Sequence, residues 1–171
     1  WTVYAPTGFA STVSPEVPST ASVLPRYLAA LKSFVEREIA PQVEDLTKRI
    51  AESNENPRLV NRLGTLYARY GMYEEAEAQF LRALRKDPTF LPAMVNLGNI
   101  YFLKPDLEKA LELYTKAFGT RPDDPTVLIS LARTHFEREE YPPATRRYRE
   151  AEIIDPVVTK DYAYIRSEER R

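Results

Sequence analysis

The residue best suited to acid–base or metal chemistry is His135, the only histidine in a chain that has no cysteine. Zinc sites and activated nucleophiles are usually built from several histidine, cysteine or hydroxyl groups held together. Because the chain has neither a cysteine nor a second histidine, the usual zinc and nucleophilic arrangements are excluded. His135 also belongs to a column of aromatic residues, described below, so we expect a packed histidine rather than a catalytic one.

Carboxylates and glycines could provide two other kinds of chemistry. Acidic pairs occur at Glu74-Glu75, Asp123-Asp124 and Glu139-Glu140. Each pair lies at or near a predicted helix start, where negative charge favours the helix dipole. The glycines Gly64 and Gly71 are not followed by the Gly-Lys-Ser/Thr of a phosphate-binding loop. We therefore predict that this segment is not an enzyme and that it uses no cofactor and no metal ion.

The overall charge gives no long-range attraction to nucleic acid or to an anionic membrane. Of the 171 residues, 24 are basic and 25 are acidic, and the formal charge is −1. Two basic clusters, at 82–86 and 146–149, have acidic neighbours and are better explained as solvated helix faces. No apolar run approaches the roughly 18 residues that span a bilayer. The first 25 residues also lack the basic start and apolar middle of a secretory signal. We expect neither nucleic-acid binding nor membrane insertion, and the compartment stays open.

A repeat of 34 residues organises most of the chain. Six positions recur in three copies without a gap, which chance would rarely produce. The six columns are Gly64, Gly98 and Ala132; Tyr67, Tyr101 and His135; Ala76, Ala110 and Ala144; Phe80, Tyr114 and Tyr148; Ala83, Ala117 and Ala151; and Pro88, Pro122 and Pro156. The pattern predicts one structural unit that occurs three times.

Each copy predicts two helices. In the first copy, apolar residues recur every three or four positions over residues 60–70, which gives one apolar face. Gly71 ends that helix, and a second apolar face follows over residues 76–84. The second helix ends before Pro88, because the residue that precedes a proline avoids the helical conformation. Small residues such as Gly64 recur because the two helices approach closely there, where a larger side chain would separate them.

This repeat resembles the tetratricopeptide repeat (TPR) family, whose pattern is matched by Leu63-Gly64, Tyr67, Ala76, Phe80, Ala83 and Pro88. The third copy departs from the pattern with Ala132 and His135. In the second copy, Lys104-Pro105-Asp106 stands where the first copy has its Gly71 turn. The resemblance implies three repeats, at 57–90, 91–124 and 125–158, together spanning 56–158. It also implies an all-α fold: a right-handed α-solenoid of antiparallel helix pairs.

The two ends of such an array need covering, because each would otherwise expose an apolar face. Upstream, a stripe of apolar residues predicts a helical cap over residues 25–55. Pro41 interrupts the stripe, and a proline inside a helix costs about 3 kcal/mol. We therefore expect a break or kink near Ala40. The cap would then be a pair of helices over about 25–39 and 41–53, and one longer helix that makes a dimer contact is the alternative.

Downstream, Val158, Tyr162 and Ile165 form a short apolar stripe in a segment whose other face is charged. This pattern predicts a capping helix over residues 159–171, with the last five residues fraying into solvent.

The first helix of each pair is expected to line the concave side of the array, which makes its outward residues the candidate contact surface. These residues are Arg58, Asn61, Thr65, Arg69, Val95, Asn96, Asn99, Phe102, Thr126, Ile129, Arg133 and Phe136. The asparagines could hydrogen-bond the backbone of an extended peptide, and Val95, Phe102 and Ile129 would take its apolar side chains. Arg69 and Arg133 would attract its acidic parts. The alternative is that some of these residues are merely exposed, or are covered by the protein's own tail.

Some TPR proteins clamp the acidic C-termini of the large chaperones with a set of basic and asparagine residues. The matching positions here are Asn61, Thr65, Asn96, Thr126 and Ser130, and only Asn96 agrees. Neutral residues replace the expected cations, so a terminal carboxylate would lose its charge-assisted hydrogen bonds. Binding of chaperone tails is therefore disfavoured.

These features predict a non-catalytic scaffold that binds an extended peptide segment of another protein in its groove. The alternative is a structural or oligomerisation segment of a larger protein. The tail, residues 1–24, is rich in Pro, Ser and Thr and is expected to be extended. Because it carries Trp1, Tyr4 and Phe9, residues 1–20 are expected to lie along a repeat surface. Docking in cis would make the tail a plug, and docking in trans would make it a strap for self-association. The rival explanation is a remnant of a preceding domain.

Overall fold

Helices account for every regular element in the described part of the chain, residues 20–167 of a computed structural model. The chain divides into two units, residues 1–41 and 42–171. The elements are α1 (Thr20–Phe34), a π-helical turn (Val35–Ile39), α2 (Ala40–Glu52), α3 (Pro57–Arg69), α4 (Tyr73–Lys86), α5 (Leu91–Leu103), α6 (Leu107–Thr120), α7 (Pro125–Glu137), α8 (Tyr141–Ile154), α9 (Pro156–Thr159), a 3-10 turn (Lys160–Tyr162) and α10 (Tyr164–Ser167).

The described part of the first unit is helical from its first residue. Helix α1 begins at Thr20, so the expectation of an extended tail as far as residue 24 is wrong for residues 20–24. These five residues contain neither glycine nor proline, and Pro25 lies inside the helix that they begin. Residues 1–19 lie outside the described residues.

A break or a kink was expected near Ala40, and the chain has a π-helical turn at Val35–Ile39 there and no break. The backbone at Ala40 keeps helical angles, φ −56° and ψ −42°, and its N–H donates to the carbonyl of Val35, five residues back. Pro41 has no N–H to donate to the preceding turn. A wider turn just before it shifts the hydrogen-bond register by one residue, which is how helices commonly accommodate such a residue. The chain therefore stays helical from α1 through α2.

Three antiparallel helix pairs form the repeat array of the second unit: α3 with α4, α5 with α6, and α7 with α8. Each pair lies within one of the predicted repeats. The first helices of the first and third pairs begin with a capping residue followed by proline. Asn56 accepts from the N–H of Arg58, and Asp124 accepts from the N–H groups of Thr126 and Val127. Such caps satisfy N–H groups that have no partner inside the helix.

Close contact between the helices of a pair explains the small-residue column. A Cβ atom at Gly64 would lie 2.6 Å from Cε1 of Phe80, and one at Gly98 would lie 2.5 Å from Cε1 of Tyr114. Both aromatic rings are about 1% exposed. The prediction that small residues mark a close helix approach is thus confirmed.

Both ends of the array in the second unit are covered. On α2, Leu46 and Ile50 are buried in one cluster with Val60 and Leu63 of α3. At the other end, Ile165 is fully buried beside Tyr148, and Val158 and Tyr162 pack on the same cluster. The predicted apolar stripe does cap the array. It does so through α9, a 3-10 turn and α10, however, and not through one helix over 159–171, because the chain must turn back to bring Ile165 onto the third pair.

The stack curves with its first helices on the inside. Helix α3 contacts α5 and α5 contacts α7, whereas α4 and α6 contact the next pair mainly through the first helix of that pair. Because neighbouring first helices approach each other directly, the surface that they share is the inner one. We call the exposed and half-exposed side of α3, α5 and α7 the inner surface.

Candidate functional site on the inner helices

A hydrogen bond between two asparagines joins the first two repeats on the inner surface. Asn96 Nδ2 on α5 donates to Asn61 Oδ1 on α3 at 3.0 Å, and both side chains are half-buried. Each amide uses one of its two hydrogen-bonding groups in this contact. The pair fixes the relative position of α3 and α5 and leaves one donor group and one acceptor at the surface.

Exposed arginines flank this amide pair on α3. Arg58, Arg62 and Arg69 are exposed and form no ion pair within residues 20–167. Thr65 lies between the last two and donates its hydroxyl to the carbonyl of Asn61 at 3.0 Å. At spacings of three and four, these residues share one side of the helix. The inner surface of the first repeat is therefore positively charged.

The side chain of Asn99 is already hydrogen-bonded within the second helix pair. Its Oδ1 accepts a hydrogen bond of 2.7 Å from the hydroxyl of Tyr114, which is 1% exposed. Burial raises the pKa of Tyr114 far above its ordinary value, so the hydroxyl keeps its proton and remains a donor. Asn99 holds the second helix pair together, and only part of its amide is left for a ligand.

The C-terminal segment covers part of the inner surface of the third repeat. The guanidinium of Arg133 lies 4.5 Å from the ring centre of Phe102 and 5.4 Å from that of Tyr162. Phe136 packs edge-on against Tyr164, with 5.0 Å between the ring centres. The open inner surface therefore belongs mainly to α3, α5 and the start of α7, where Thr126 is exposed.

Two residues expected to offer an apolar surface are buried. Val95 is 9% exposed and Ile129 is 4% exposed, and each is part of a core cluster between neighbouring pairs. The first helix of each pair contacts several helices at once, so its apolar side is wider than one stripe. Val95 still forms part of a shallow pocket of about 180 Å³, lined also by Leu91, Pro92, Asn96, Asp124 and Thr126.

Sequence reasoning missed several residues of this surface. Leu103, at the end of α5, is 57% exposed and lies four residues after Asn99, on the same side of the helix. Arg62 lies four residues after Arg58, and that spacing could have revealed it. No pattern indicated that Tyr162 and Tyr164 would return to α7, because those contacts depend on the turn after α9.

Several of the groups considered for catalysis have structural roles. His135 is half-buried, and its Nδ1 lies 2.6 Å from Oε2 of Glu140 at the turn between α7 and α8. Hydrogen bonds from Arg138 and then from His135 lower the pKa of Glu140. Asp124 caps α7, and Glu74 and Glu75 lie in the first turn of α4, as expected for the helix dipole. Within residues 20–167, no group of three or more His, Cys, Asp or Glu side chains is placed to hold a metal ion.

Among the helices of residues 20–167, none has the length and apolar character that crossing a membrane requires.

Comparison with known proteins identifies the first two helix pairs as repeats of a known family. Models of the tetratricopeptide repeat match residues 57–90 and 91–124. The uncharacterized protein ycf37 of Cyanophora paradoxa is 30% identical over 137 residues, which cover 74% of this chain and 80% of that protein. The other curated relatives are matched over only 6% to 22% of their length.

Solved structures share the fold. PilF of Pseudomonas aeruginosa is 25% identical with a TM-score of 0.61, over 74% of this chain and 59% of that one. YrrB, described as a TPR protein with an unusual peptide-binding site, is 22% identical with a TM-score of 0.62, over 67% of this chain and 59% of that one. From the repeat matches and the relationship to ycf37, we conclude that the chain belongs to the tetratricopeptide repeat family of protein-interaction scaffolds.

Proposed function

We propose that the inner surface of α3 and α5 binds an extended, acidic peptide segment of another protein, without catalysis. The Asn61–Asn96 hydrogen bond is the observation that carries this proposal. It leaves Nδ2 of Asn61 and Oδ1 of Asn96 without a partner among the described residues. An extended peptide presents backbone acceptors and donors in alternation, so one peptide unit can bond to both free groups.

Charge gives the second support for an acidic ligand. Arg58, Arg62 and Arg69 carry three positive charges along one side of α3 with no carboxylate paired to them in the described residues. Guanidinium groups bind carboxylates through paired hydrogen bonds, and unpaired cations at a rim also speed the encounter with an acidic partner. A peptide with carboxylates beside the segment that contacts the two amides would satisfy both features.

Apolar contacts would come from the far end of α5. Leu103 is exposed and Phe102 is half-buried beneath the guanidinium of Arg133. An apolar side chain of the peptide would cover Leu103 at the point where the C-terminal segment closes the inner surface. The likeness to YrrB shows the fold alone, so the proposal depends on these residues of the chain itself.

A display library of linear peptides tests the proposal. The intact chain is expected to select sequences rich in Asp and Glu, and a selected peptide is then titrated against variants. Arg58→Glu and Arg69→Glu are each expected to weaken binding about tenfold by removing an attraction and adding a repulsion. Asn96→Ala is expected to weaken it as well, because one peptide hydrogen bond and the link to Asn61 are lost.

The matched control is Arg85→Glu on α4. Arg85 is also an exposed arginine with no ion pair in the described residues, but it lies on a second helix, away from the inner surface. It should leave peptide affinity unchanged apart from a small long-range charge effect. Selection of no peptide, or equal losses in Arg58→Glu, Arg69→Glu and Arg85→Glu, would contradict the proposed site.

A further inference from the structure

The outer side of the third repeat carries an apolar patch that the fold itself does not use. Ile153 is 85% exposed, Ile154 is 48% exposed and Val157, three residues further on, is 79% exposed. Leaving such side chains in water gains nothing for folding, since apolar area stabilises only when it is removed from water. We call these three residues the outer patch.

The other two repeats show that these positions do not require apolar residues. One repeat length earlier, the positions of Ile153, Ile154 and Val157 are Gly119, Thr120 and Asp123, and two lengths earlier they are Arg85, Lys86 and Thr89. All six are exposed although another helix pair follows each of these repeats. A fourth repeat would therefore leave the outer patch in solvent. Stacking of a further repeat therefore does not account for the apolar residues at these three positions.

The outer patch adjoins a depression that could seat a helix face. Ile153 and Ile154 line an open pocket of about 430 Å³ together with Phe118, Pro122 and Leu128. The guanidinium of Arg147 lies 4.1 Å from the ring centre of Phe118 and donates to Glu150 at 2.7 Å, so its charge is balanced locally. At the rim, Asp123 is exposed and forms no ion pair within residues 20–167. The pocket is apolar with an acidic edge.

A second set of exposed apolar side chains lies on α1. Tyr27 is 61% exposed, Leu28 is 53%, Leu31 is 45% and Phe34 is 37%. Spacings of three and four place them along one side of the helix. The charged residues of α1 are Arg26 and Lys32, and it has no acidic residue. Helix α1 is thus apolar on one side and cationic, which complements the outer patch.

We propose that the outer patch binds α1 of a second copy of this chain. One such contact involves the three side chains of the outer patch and the four exposed apolar side chains of α1. If a whole large side chain has an area of about 150–200 Å², the exposed parts of these seven amount to roughly 700 Å². Two reciprocal contacts would bury about 1,400 Å², within the roughly 1,200–2,000 Å² of a standard interface. Arg26 of α1 is exposed and forms no ion pair within residues 20–167, so placing it against Asp123 would add electrostatic complementarity.

Sedimentation equilibrium of the full chain tests this contact. Over loading concentrations from about 1 µM to about 100 µM, where interfaces of this size with modest affinity dissociate, the mass is expected to rise above the 19.7 kDa monomer. Ile153→Arg and Leu28→Glu are each expected to weaken association at least tenfold, because each places a charge in the apolar contact. Arginine at position 153 reproduces the residue of the first repeat, so Ile153→Arg should fold normally.

Mixing the two variants identifies the partners in the contact. Ile153→Arg keeps α1 intact and Leu28→Glu keeps the outer patch intact, so a one-to-one mixture is expected to form a heterodimer and to associate more strongly than either variant alone. Leu103→Asp on the inner surface is the control and should associate like the wild type. A wild-type chain that stays monomeric would overturn the proposal, as would wild-type association of Leu28→Glu alone. The proposal would also be overturned if the mixed variants formed no heterodimer although both kept their helical circular dichroism.

Discussion

The ring of Phe80 occupies the space into which a side chain at Gly64 would project: its Cε1 lies 2.6 Å from the position of a Cβ atom there. Real Cβ atoms do not approach a carbon so closely, so α3 and α4 can pack at this distance only because position 64 has no side chain. The second repeat keeps the same relationship between Gly98 and Tyr114, at 2.5 Å.

Gly64→Ala is therefore expected to destabilise the protein, because overpacking a core usually costs about 1–3 kcal/mol. The better helix propensity of alanine, worth about 1 kcal/mol, offsets only part of that cost. Urea unfolding followed by circular dichroism measures the change. The control is Gly119→Ala, at a helical position where a Cβ atom would meet nothing within 4 Å. It should be neutral or slightly stabilising. Equal effects of the two substitutions would show that close packing is not why glycine is needed at position 64.

The C-terminal segment is expected to be as important for stability as any helix of the repeats. Ile165 is fully buried, whereas Ile153 is 85% exposed. Ile165→Ala should cost about 2–5 kcal/mol through the lost apolar contacts and the cavity left behind. Ile153→Ala, the same chemical change, should alter the free energy of unfolding by less than about 0.5 kcal/mol. The two urea midpoints are compared at one low protein concentration, which keeps association out of the measurement. Similar midpoints would mean that residues 156–167 do not cap the third pair.

Much of the fold was predictable because close packing restricts residue type. The columns that contain Gly64 and Phe80 follow from the distance between paired helices, and that distance repeats every 34 residues. A capping residue followed by proline, as at Asn56 and Asp124, likewise predicts the start of a helix from local sequence alone. A break or a kink was expected near Ala40, and the chain has no break there, since one wide turn before Pro41 accommodates the missing N–H.

The candidate site was less predictable, because it depends on contacts between repeats. Spacing placed Val95 and Ile129 on the inner surface, but a first helix also contacts the preceding second helix and the neighbouring first helices, which buries both residues. The Asn61–Asn96 bond joins residues 35 apart in sequence, and no property of either residue alone indicates it. The stacking of Arg133 on Tyr162 depends on a turn that the sequence did not predict.

The Tyr114–Asn99 hydrogen bond is expected to stabilise the second helix pair. Tyr114→Phe should cost about 1 kcal/mol, because it removes the hydroxyl and leaves a half-buried amide that water can still reach. Asn99→Ala should cost about 1–3 kcal/mol, because the buried hydroxyl then loses this acceptor. The double variant should lose less stability than the sum of the losses in the two single variants. A double-mutant cycle from urea unfolding measures this difference. Strict additivity would mean that the two groups do not interact in solution.

The ion pairs of Glu55 predict that part of the stability of the folded chain is lost at acidic pH. Hydrogen bonds from Lys86 and then from Arg82 lower the pKa of Glu55 from an ordinary 4.5 to about 2. Lys86 Nζ lies 2.7 Å from Oε2 of Glu55, and these contacts connect the α2–α3 loop to α4. Because the folded chain takes up this proton at lower pH than the unfolded chain, the stabilisation is complete above about pH 4.5 and is lost as the pH falls towards about 2.

Glu55→Gln should therefore lower the urea midpoint at neutral pH, and its difference from the wild type should shrink as the pH falls through that range. Comparing the variant with the wild type at each pH removes the contribution of the other carboxylates. Glu44→Gln is the control, because Glu44 is an exposed residue of α2 with no ion pair among the described residues. A difference for Glu55→Gln that stayed constant from neutral pH down to about 2 would contradict the lowered pKa, since a protonated Glu55 can no longer pair with Lys86 and Arg82.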